Sequence, residues 1–413
     1  MYRYICKETL VNNLWLFRSF KCRKMFSALA PVVDENVAVP VLDNKRLIEE
    51  PPEDSDNKKQ KLDNADRVKK RKVAMLLGYL GKNYYGMQRN PQMKTIEEDL
   101  IQALLQAKLI NDEAFETIQT IQFQRAARTD KGVSAVRQVV SLKLPEHGKK
   151  EDINAFLPEE IRVFGIKRVT KGFNSKSSCD ARSYIYTMPT FAFAKKPPDS
   201  EVLNEEYDVD KKIEELSVIN GEPFHKYRIQ PDVLEKVQSV LKLYEGTHNF
   251  HNFTSKVKPL DPSAMRYMID CSCSDPFVIN DMEFVTLKIK GQSFMLHQIR
   301  KMVALVIAII RTQTSEETLN AAFGPGKLDI PMAPSLGLVL DQVHYDRYNK
   351  RYSSDGIHEA LEWPEVNDEI VKFKEDYILN YICESEQSEK SMLQWLATLC
   401  RHSYDIREDS VIS

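Results

Sequence analysis

The chain has 413 residues, which is enough for two or three domains that each bury a hydrophobic core. Its composition is that of a soluble globular protein, and it contains no apolar run of the roughly 18 residues that would predict a membrane span. The seven cysteines are odd in number and scattered, which argues against a disulfide framework and favours a reducing compartment.

The net charge of −2 is unevenly distributed along the chain. Residues 1–65 have a net charge of +1, residues 66–353 of +6, and residues 354–413 of −9. The acidic charge is therefore concentrated at the C-terminal end, and the central body is basic. A basic body is compatible with a polyanionic partner but does not identify one.

Residues 1–68 predict a disordered N-terminal extension, and residues 34–68 of it are rich in Pro, Asp, Glu and Lys with little to bury. Residues 1–33 contain six Lys or Arg and a single acid, a pattern typical of a mitochondrial presequence, and Met25 is a candidate second start. An extension without a targeting role explains the same residues equally well. The basic cluster KKRK at residues 69–72 is of the nuclear-localisation kind. The expected compartment is therefore the nucleus, the mitochondrion or both.

Residues 69–175 predict the first of two similar halves. Its predicted elements, in chain order, are a strand at Val73–Tyr79, a helix that a capping box opens at Thr95, strands at Thr117–Phe123 and Val139–Leu144, a helical turn at Asp152–Leu157 and a strand at Ile161–Val169. The order βαββαβ is that of a ferredoxin-like unit.

Residues 176–350 repeat this order and predict the second half. The predicted elements are a strand at Tyr184–Pro189, a helix from Pro231 to Leu241, strands at Tyr267–Cys273 and Phe284–Ile289, a helix at Met295–Ile310 and a strand at Leu338–His344. An acidic surface insertion is expected at residues 195–222. Residues 351–413 form an acidic tail with helical segments around Val371–Tyr381 and Met392–Leu399.

The repeated order predicts an α+β fold. Two ferredoxin-like halves are expected to join into one large mixed, mainly antiparallel sheet with a central cleft.

Asp130 is the first candidate catalytic residue. It lies in the loop QRAARTDKGVSAVRQVV, with Arg128 and Lys131 beside it and Gly132 to permit a tight turn. Cationic neighbours would keep this carboxylate ionised. The residue types alone are equally compatible with an ordinary charged loop.

Arg300 falls on the apolar stripe of the predicted helix Met295–Ile310, between Leu296 and Val303. A guanidinium on a buried face needs a carboxylate or phosphate partner, because an unpaired buried charge is costly. An arginine that snorkels at the edge of the core explains the same spacing. The spacing does not identify the partner.

Aromatic and histidine residues supply further candidates. Tyr184 and Tyr186 alternate on one strand face, where aromatic rings serve as core or as base-stacking platforms. The loop GYLGKNYYGMQRN suits either a simple turn or contact with a sugar-phosphate backbone. His248 and His251 lack an accompanying Cys or carboxylate, so structural or RNA-contacting histidines are expected and no metal site is predicted.

Several of these stretches together resemble the TruA-type pseudouridine synthases, over about residues 72–347. Six motifs occur in family order: YLGKNYYGMQ, ARTDKGVSA, ARSYIY, GTHNFHNFTSK, KGQSFMLHQIRKMV and APSLGLVL. The sequences of the fourth and fifth motifs are close to those of the eukaryotic branch that modifies tRNA at multiple sites. One departure is Ser134, where bacterial members often have His.

The resemblance implies roles for individual residues. Asp130 matches the catalytic aspartate, Tyr184 the tyrosine that stacks on the target base and is a candidate proton acceptor, and Arg300 the arginine that pairs with the aspartate. It therefore predicts an Asp130–Arg300 contact. Other residues of the matched motifs are expected to bind the substrate: Tyr84, Gln88, Arg128, Lys131, His248 and His297.

The resemblance also implies an isomerase that converts uridine to pseudouridine in tRNA, mainly in the anticodon stem and loop, without metal or cofactor. Messenger RNA and spliceosomal small nuclear RNA are further expected substrates, and monomer and homodimer remain open. One alternative is a related synthase restricted to the 3′ side of the anticodon arm. Another is a non-catalytic RNA-binding module with two RRM-like halves, for which the expected aromatic signatures on central strands are missing.

Overall fold

The computed structural model describes residues 69–195, 208–255 and 257–406. The predicted extension at residues 1–68, with its presequence-like stretch, lies outside the described residues. So do residues 196–207 of the predicted insertion and the last seven residues of the tail.

One ten-stranded sheet organises the described residues. Its strands are β1 Lys70–Tyr79, β2 Gln124–Arg125, β3 Ser134–Pro145, β4 Ile161–Arg168, β5 Ala181–Pro189, β8 Gly246–Asn249, β9 Met265–Cys273, β10 Phe277–Ile279, β11 Met282–Gly291 and β12 Leu338–His344, while β6 Val218–Ile219 and β7 Glu222–Pro223 form a separate hairpin. The main path runs β4-β1-β3-β12-β5-β11-β9-β8. Every pairing along it is antiparallel except that of β12 with β3. The predicted fold class, α+β with one large mixed and mainly antiparallel sheet, is confirmed.

The two halves use the same strand order. In the second half the order β12-β5-β11-β9 places the fourth, first, third and second strands side by side, as in a ferredoxin-like unit. In the first half the order is β4-β1-β3, with β2 paired to β3. The halves meet where β12 runs parallel to β3, through Val339 opposite Ser134 and Leu340 opposite Ala135.

The predicted strand at Thr117–Phe123 is wrong. The chain there forms a 3₁₀ turn, Ile118–Ile121, and only Gln124–Arg125 pair as β2. Ile118 and Ile121 are three residues apart, a spacing that puts both on one side of such a turn. Gln122 then ends it in a left-handed conformation, with φ of 53°.

Helices connect and cover the sheet. Their bounds are α1 Ile96–Gln106, α2 Asp112–Glu116, α3 Lys150–Asn154, α4 Val209–Leu216, α5 Pro231–Lys242, α6 Gln298–Ile310, α7 Glu316–Ala322, α8 Asp346–Tyr352, α9 Asn367–Phe373, α10 Asn380–Ser388 and α11 Ser391–Ala397, with a π-helical segment at Lys374–Leu379 between α9 and α10. Thr95 caps α1 by accepting from the Glu98 backbone N–H, as the capping box predicts. Every residue of α6 from Met302 to Ile310 is buried, so this helix lies in the core.

The stretch of the tail from Trp363 to Phe373 packs on one face of the first half. A Cβ added to Gly78 would meet the Phe373 ring at 3.2 Å, and one added to Gly165 would meet the Trp363 ring at 2.8 Å. The acidic residues of the tail meet lysines of the body, in the pairs Lys150–Glu369 and Lys167–Glu365. Since successive strand residues point to opposite faces, the side chain of Tyr79 lies on the other face of the sheet.

Glu386, in α10, is a buried carboxylate in the part of the tail that contacts the second half, where the next residue, Gln387, donates to the Asn280 carbonyl at 3.0 Å. Glu386 is 3% exposed and accepts a 2.9 Å hydrogen bond from the Met392 backbone N–H. Burial raises the pKa of Glu386 from 4.5 to about 7. The unfolded chain ionises at lower pH than the folded one, so folding stability is lost as pH rises from about 4.5 to about 7.

We expect Glu386→Gln to stabilise the protein above pH 7 by roughly 3 kcal/mol, since its amide oxygen can still accept from Met392. Below pH 4.5 the variant and the wild type should melt together. Thermal melting across this pH range measures the effect, with Glu384→Gln at an exposed position of the same helix as the control. Identical melting temperatures of the wild type and Glu386→Gln at pH 7.5 would contradict the claim that ionisation of buried Glu386 destabilises the fold.

Candidate active site

A cleft of about 970 Å³ opens where the loop before β3 faces β5 and the segment between β11 and α6. Asp130 is the one carboxylate among its described lining residues. The same lining includes six basic side chains: Arg89, Arg125, Arg128, Lys131, Lys176 and Arg182. An acid in such a setting faces a field that attracts polyanions.

Residues 126–129, which lead into Asp130, are held by buried side chains of the sheet. The Gln138 amide donates to the Ala127 carbonyl at 2.8 Å and accepts from the Ala127 N–H at 3.2 Å. The Tyr79 hydroxyl is hydrogen-bonded to Thr129 Oγ1 at 2.8 Å. Since Gln138 and Tyr79 are fully buried, they give this segment a rigid attachment.

Glycines allow the turn at Asp130 to form and to pack. The Asp130 carbonyl accepts from the Val133 N–H at 3.1 Å, and Gly132 has φ of +76° within that turn. A Cβ on Gly86 would stand 2.7 Å from the Thr129 carbonyl oxygen. The loop YLGKNYYGMQ therefore packs directly against the loop ARTDKGVSA, which places the first two motifs side by side.

The Asp130 carboxylate is half-buried and lines the cleft. Among the residues that the structure describes, none donates a hydrogen bond to it, although its backbone carbonyl is engaged. Its oxygens are therefore free to act on a molecule that enters the cleft.

Arg300 lies behind the cleft wall and not on it. Its Nε donates to the Ala333 carbonyl at 2.6 Å. Burial lowers the pKa of Arg300, while the Tyr186 hydroxyl and the Asp130 carboxylate oppose that shift. The predicted Asp130–Arg300 contact is not present as a direct ion pair in the described part of the chain. The two residues interact electrostatically at longer range.

The predicted apolar stripe through Arg300 needs a correction. The helix begins at Gln298, and His297 before it is left-handed with φ of +65°, which breaks the helical spacing. Leu296 therefore precedes the helix and is 53% exposed, whereas Gln298 is buried. Arg300 retains its place on the inner side of α6, between buried Ile299 and Met302 in sequence.

Tyr184 lines the cleft from β5. Its ring packs edge-to-face on Phe294, with centroids 5.1 Å apart. Burial raises the pKa of Tyr184, the Asp130 charge adds to that shift, and the Arg182 charge opposes it. Its hydroxyl has no hydrogen-bond partner among the described residues. By contrast, Tyr186 is fully buried and donates to the Pro334 carbonyl at 2.8 Å, so only Tyr184 is available to a ligand.

Four of the expected substrate-binding residues lie in the cleft lining: Gln88, Arg128, Lys131 and His297. The first three are exposed, and Lys131 Nζ lies 4.5 Å from the centre of the Tyr85 ring. His297 occupies the turn before α6. The structure thus brings residues of three separate motifs around Asp130.

Tyr84 and His248 are not in the cleft lining. Tyr84 is 2% exposed and donates to Asp99 at 2.7 Å, so it fastens its loop to α1. His248 lies on β8, at the edge of the sheet, where it stacks on Phe323 and contacts the Glu245 carbonyl at 2.8 Å. His248 therefore has a structural role at the sheet edge. Neither Tyr84 nor His248 lies where it could contact a substrate in this cleft.

Arg182 and Phe294 line the cleft but were not singled out from the sequence. Arg182 shares the face of Tyr184 two positions earlier on β5, an alternation that sequence alone can reveal. Phe294 has no comparable signal, because its place depends on Gly291, where an added Cβ would come within 2.8 Å of its ring. Its contact with Tyr184 depends on the pairing of β11 with β5, in which Gly291 lies opposite Arg182.

Comparison with known proteins identifies the family. The profile described as tRNA pseudouridine synthase matches residues 240–346, which span β8 to β12. A mouse protein named "Pseudouridylate synthase 1 homolog" is 47% identical over 82% of this chain and 76% of its own length. A Saccharomyces cerevisiae protein named "tRNA pseudouridine synthase 1" is 35% identical over 79% of this chain and 71% of its own.

The chain belongs to the tRNA pseudouridine synthase family. The human relative, "Pseudouridylate synthase 1 homolog", is 47% identical over 80% of this chain and 74% of its own. Such coverage includes the first half, which the family profile does not match. Among the described residues there is no cluster of three or more His, Cys, Asp or Glu suited to a metal, and no described helix has the length and apolar character to cross a membrane.

Proposed function

We propose that this protein isomerises specific uridines of tRNA to pseudouridine in the cleft around Asp130. The observation that carries the proposal is a carboxylate with no hydrogen-bond donor from the described residues, set among basic side chains in a cleft that Tyr184 also lines. Family membership supplies the reaction, and the names of the relatives supply tRNA as the substrate class.

The reaction moves the uracil ring on its ribose. The N1–C1′ bond breaks, the ring turns while it is held, a C5–C1′ bond forms, the proton on C5 leaves and N1 gains a proton. Asp130 serves in one of two ways. It attacks C1′ to form an ester that breaks again as C5 bonds to C1′, or it removes the C2′ proton to give a glycal and returns that proton to C2′ as the C5–C1′ bond forms. Both routes need an ionised carboxylate next to the ribose.

The target uridine must leave its stack to reach Asp130. Flipping costs a few kcal/mol, and stacking on the Tyr184 ring offsets part of that cost. The Phe294 edge holds the Tyr184 ring in place. Arg128 and Lys131 are exposed beside Asp130, and we expect them to contact phosphates next to the flipped nucleotide.

Incubation of the protein with tRNA transcripts, followed by mapping of pseudouridine, tests the proposal. Pseudouridine at defined positions is the expected result. Tight tRNA binding without product would favour the non-catalytic RNA-binding module instead.

We further propose the anticodon stem and loop as the main target region, with messenger RNA and spliceosomal small nuclear RNA as additional substrates. The support is the resemblance of the motifs to the multisite branch. Position-by-position mapping in cells with and without the gene distinguishes this range from a synthase restricted to the 3′ side of the anticodon arm.

For the compartment we propose the nucleus, the mitochondrion or both. The support is the presequence-like composition of residues 1–33 and the basic cluster at residues 69–72. Fluorescent fusions that begin at Met1 and at Met25 are expected to differ in mitochondrial signal, and equal distributions would remove the presequence from the proposal.

Tyr184→Phe is expected to slow isomerisation roughly 100-fold, the low end for loss of a proton-transfer group, while tRNA affinity stays within a few-fold. Burial keeps the Tyr184 hydroxyl protonated, so it can accept the C5 proton only by passing on its own, for example to Asp130. The ring and its contact with Phe294 remain in the variant. Single-turnover rates measure the effect.

Two comparisons complete this test. Tyr184→Leu should lose the stacking surface as well and bind tRNA more weakly, and Tyr352→Phe on α8 is the control outside the cleft. A wild-type rate in Tyr184→Phe would limit Tyr184 to stacking and rule out the proton relay.

A further inference from the structure

Arg182 makes an unusual set of contacts for a residue on the wall of the cleft. Its Nη2 and Nε donate to the Ala126 carbonyl at 2.6 and 3.1 Å. Its Nη1 donates to the Gln292 carbonyl at 3.3 Å, and Nη2 also lies 3.5 Å from the Lys176 carbonyl oxygen. One guanidinium on β5 thus contacts three segments that are far apart in sequence.

These segments are the ones that carry the active-site groups. Ala126 lies four residues before Asp130, in the segment that Gln138 and Tyr79 fasten from the other side. Gln292 lies two residues before Phe294, whose ring packs on Tyr184. Arg182 itself is two residues before Tyr184 on the same strand face.

The hydrogen bonds of Arg182 are suited to holding several backbone segments in fixed relative positions, a role that we call a latch. A guanidinium presents several donors in a fixed planar fork, so one side chain can fix the relative positions of carbonyls from different segments. Bonds from a charged donor are shorter and stronger than those between neutral groups. No carboxylate pairs with Arg182 among the described residues, so its donors are committed to backbone carbonyls.

Accurate placement matters here because Asp130 and Tyr184 come from different halves of the fold. Gln138 and Tyr79 anchor the Asp130 segment to the first half, whereas Tyr184 stands on β5 in the second. A misplacement of about 1 Å between reacting groups can cost 100-fold in rate. The Arg182 charge also opposes the rise in the pKa of Tyr184 that burial causes.

We propose that Arg182 is a positioning residue that latches the segment before Asp130, and the segment before Phe294, to the strand that carries Tyr184. The proposal deepens the proposed function and rests on it, since the geometry that Arg182 holds is that of uridine isomerisation. Arg182 acts through Asp130, Tyr184 and Phe294 and needs no contact of its own with the uracil.

The test compares Arg182→Lys with Arg162→Lys. Lysine keeps the positive charge but cannot bridge three carbonyls with a planar fork. Arg162 is a matched control, because its Nη1 also donates only to backbone carbonyls, those of Pro158 and Ile161, and it is not part of the cleft lining. Arg182→Met removes the charge as well.

We expect kcat to fall about 100-fold in Arg182→Lys, with KM for tRNA within about three-fold of wild type. Arg162→Lys should keep the wild-type kcat. Amide hydrogen exchange of residues 126–133 should speed up in Arg182→Lys and not in Arg162→Lys. This second readout does not require that the protein be active.

The outcomes separate the latch from other roles. A raised KM in Arg182→Met that Arg182→Lys restores, with kcat unchanged, would make Arg182 an RNA-binding cation and overturn the proposal. A lower melting temperature with normal kcat and normal exchange at residues 126–133 would make it merely structural and also overturn it. If the wild type forms no pseudouridine but exchange still speeds up, the latch stands and the proposed function fails.

Discussion

Asp130→Asn is expected to abolish pseudouridine formation, with a loss of at least about 10⁴-fold in single-turnover rate, of the size seen when a residue essential to the chemistry is removed. The amide is isosteric with the carboxylate but can neither attack C1′ nor take up a proton. Mapping of pseudouridine in tRNA transcripts over long incubations measures the residual rate.

The fold and the tRNA affinity of Asp130→Asn should survive. The Asp130 carboxylate receives no hydrogen bond from the described residues, and the turn depends on its backbone carbonyl, which accepts from Val133. Removal of one negative charge from a basic cleft should leave tRNA binding unchanged or slightly tighter. Asp152→Asn, an exposed carboxylate on α3 of the same half, is the control and should keep the wild-type rate. Appreciable turnover in Asp130→Asn would end the assignment.

The sequence predicted the fold where local pattern and tertiary structure agree. Short strand-like runs predicted β1, β3, β4, β5, β9, β11 and β12, and β12 has the predicted bounds, Leu338–His344. At Ile118–Ile121 the pattern misled, because an i, i+3 pair of isoleucines in a short turn resembles a short apolar strand. The pairing of β12 with β3, which joins the halves, depends on contacts between residues some 200 positions apart and leaves no local signal.

The candidate site was predicted in part. Asp130 and Tyr184 both line one cleft, and they come from motifs whose positions the family resemblance supplies. Tyr84 and His248 belong to equally distinctive motifs, yet their side chains satisfy Asp99 and the Glu245 carbonyl. A motif match indicates that a residue is important, but it does not distinguish a residue that lines the cleft from one that stabilises the surrounding structure. The structure makes that distinction.

Arg300 illustrates the same distinction. Helix spacing indicated a cation on a buried face, and resemblance predicted direct pairing with Asp130. In the structure its Nε binds the Ala333 carbonyl, and Tyr186 binds the neighbouring Pro334 carbonyl. A Cβ on Gly132 would stand 3.5 Å from Ser335 Oγ, so the segment that holds these two carbonyls abuts the turn that carries Asp130.

Arg300→Met is therefore expected to impair both activity and stability. Loss of the charged donor leaves the Ala333 carbonyl without that partner, which costs about 2 kcal/mol and lowers the melting temperature by several degrees. The segment behind Gly132 loosens, and Asp130 loses the positive charge behind it, so the rate should fall by roughly 100-fold or more. Thermal melting and single-turnover rates on tRNA, measured well below the melting temperature, check the two parts separately.

Arg300→Lys distinguishes the charge from the hydrogen bond. Lysine keeps a positive charge behind Asp130 but lacks the Nε that reaches the Ala333 carbonyl in this geometry. If the charge dominates, Arg300→Lys recovers most of the activity lost in Arg300→Met while its melting temperature stays low. If the segment at residues 333–335 dominates, activity and melting temperature fall together in both variants. A wild-type rate in Arg300→Met would mean that neither the long-range charge nor the Ala333 bond contributes to the arrangement of Asp130.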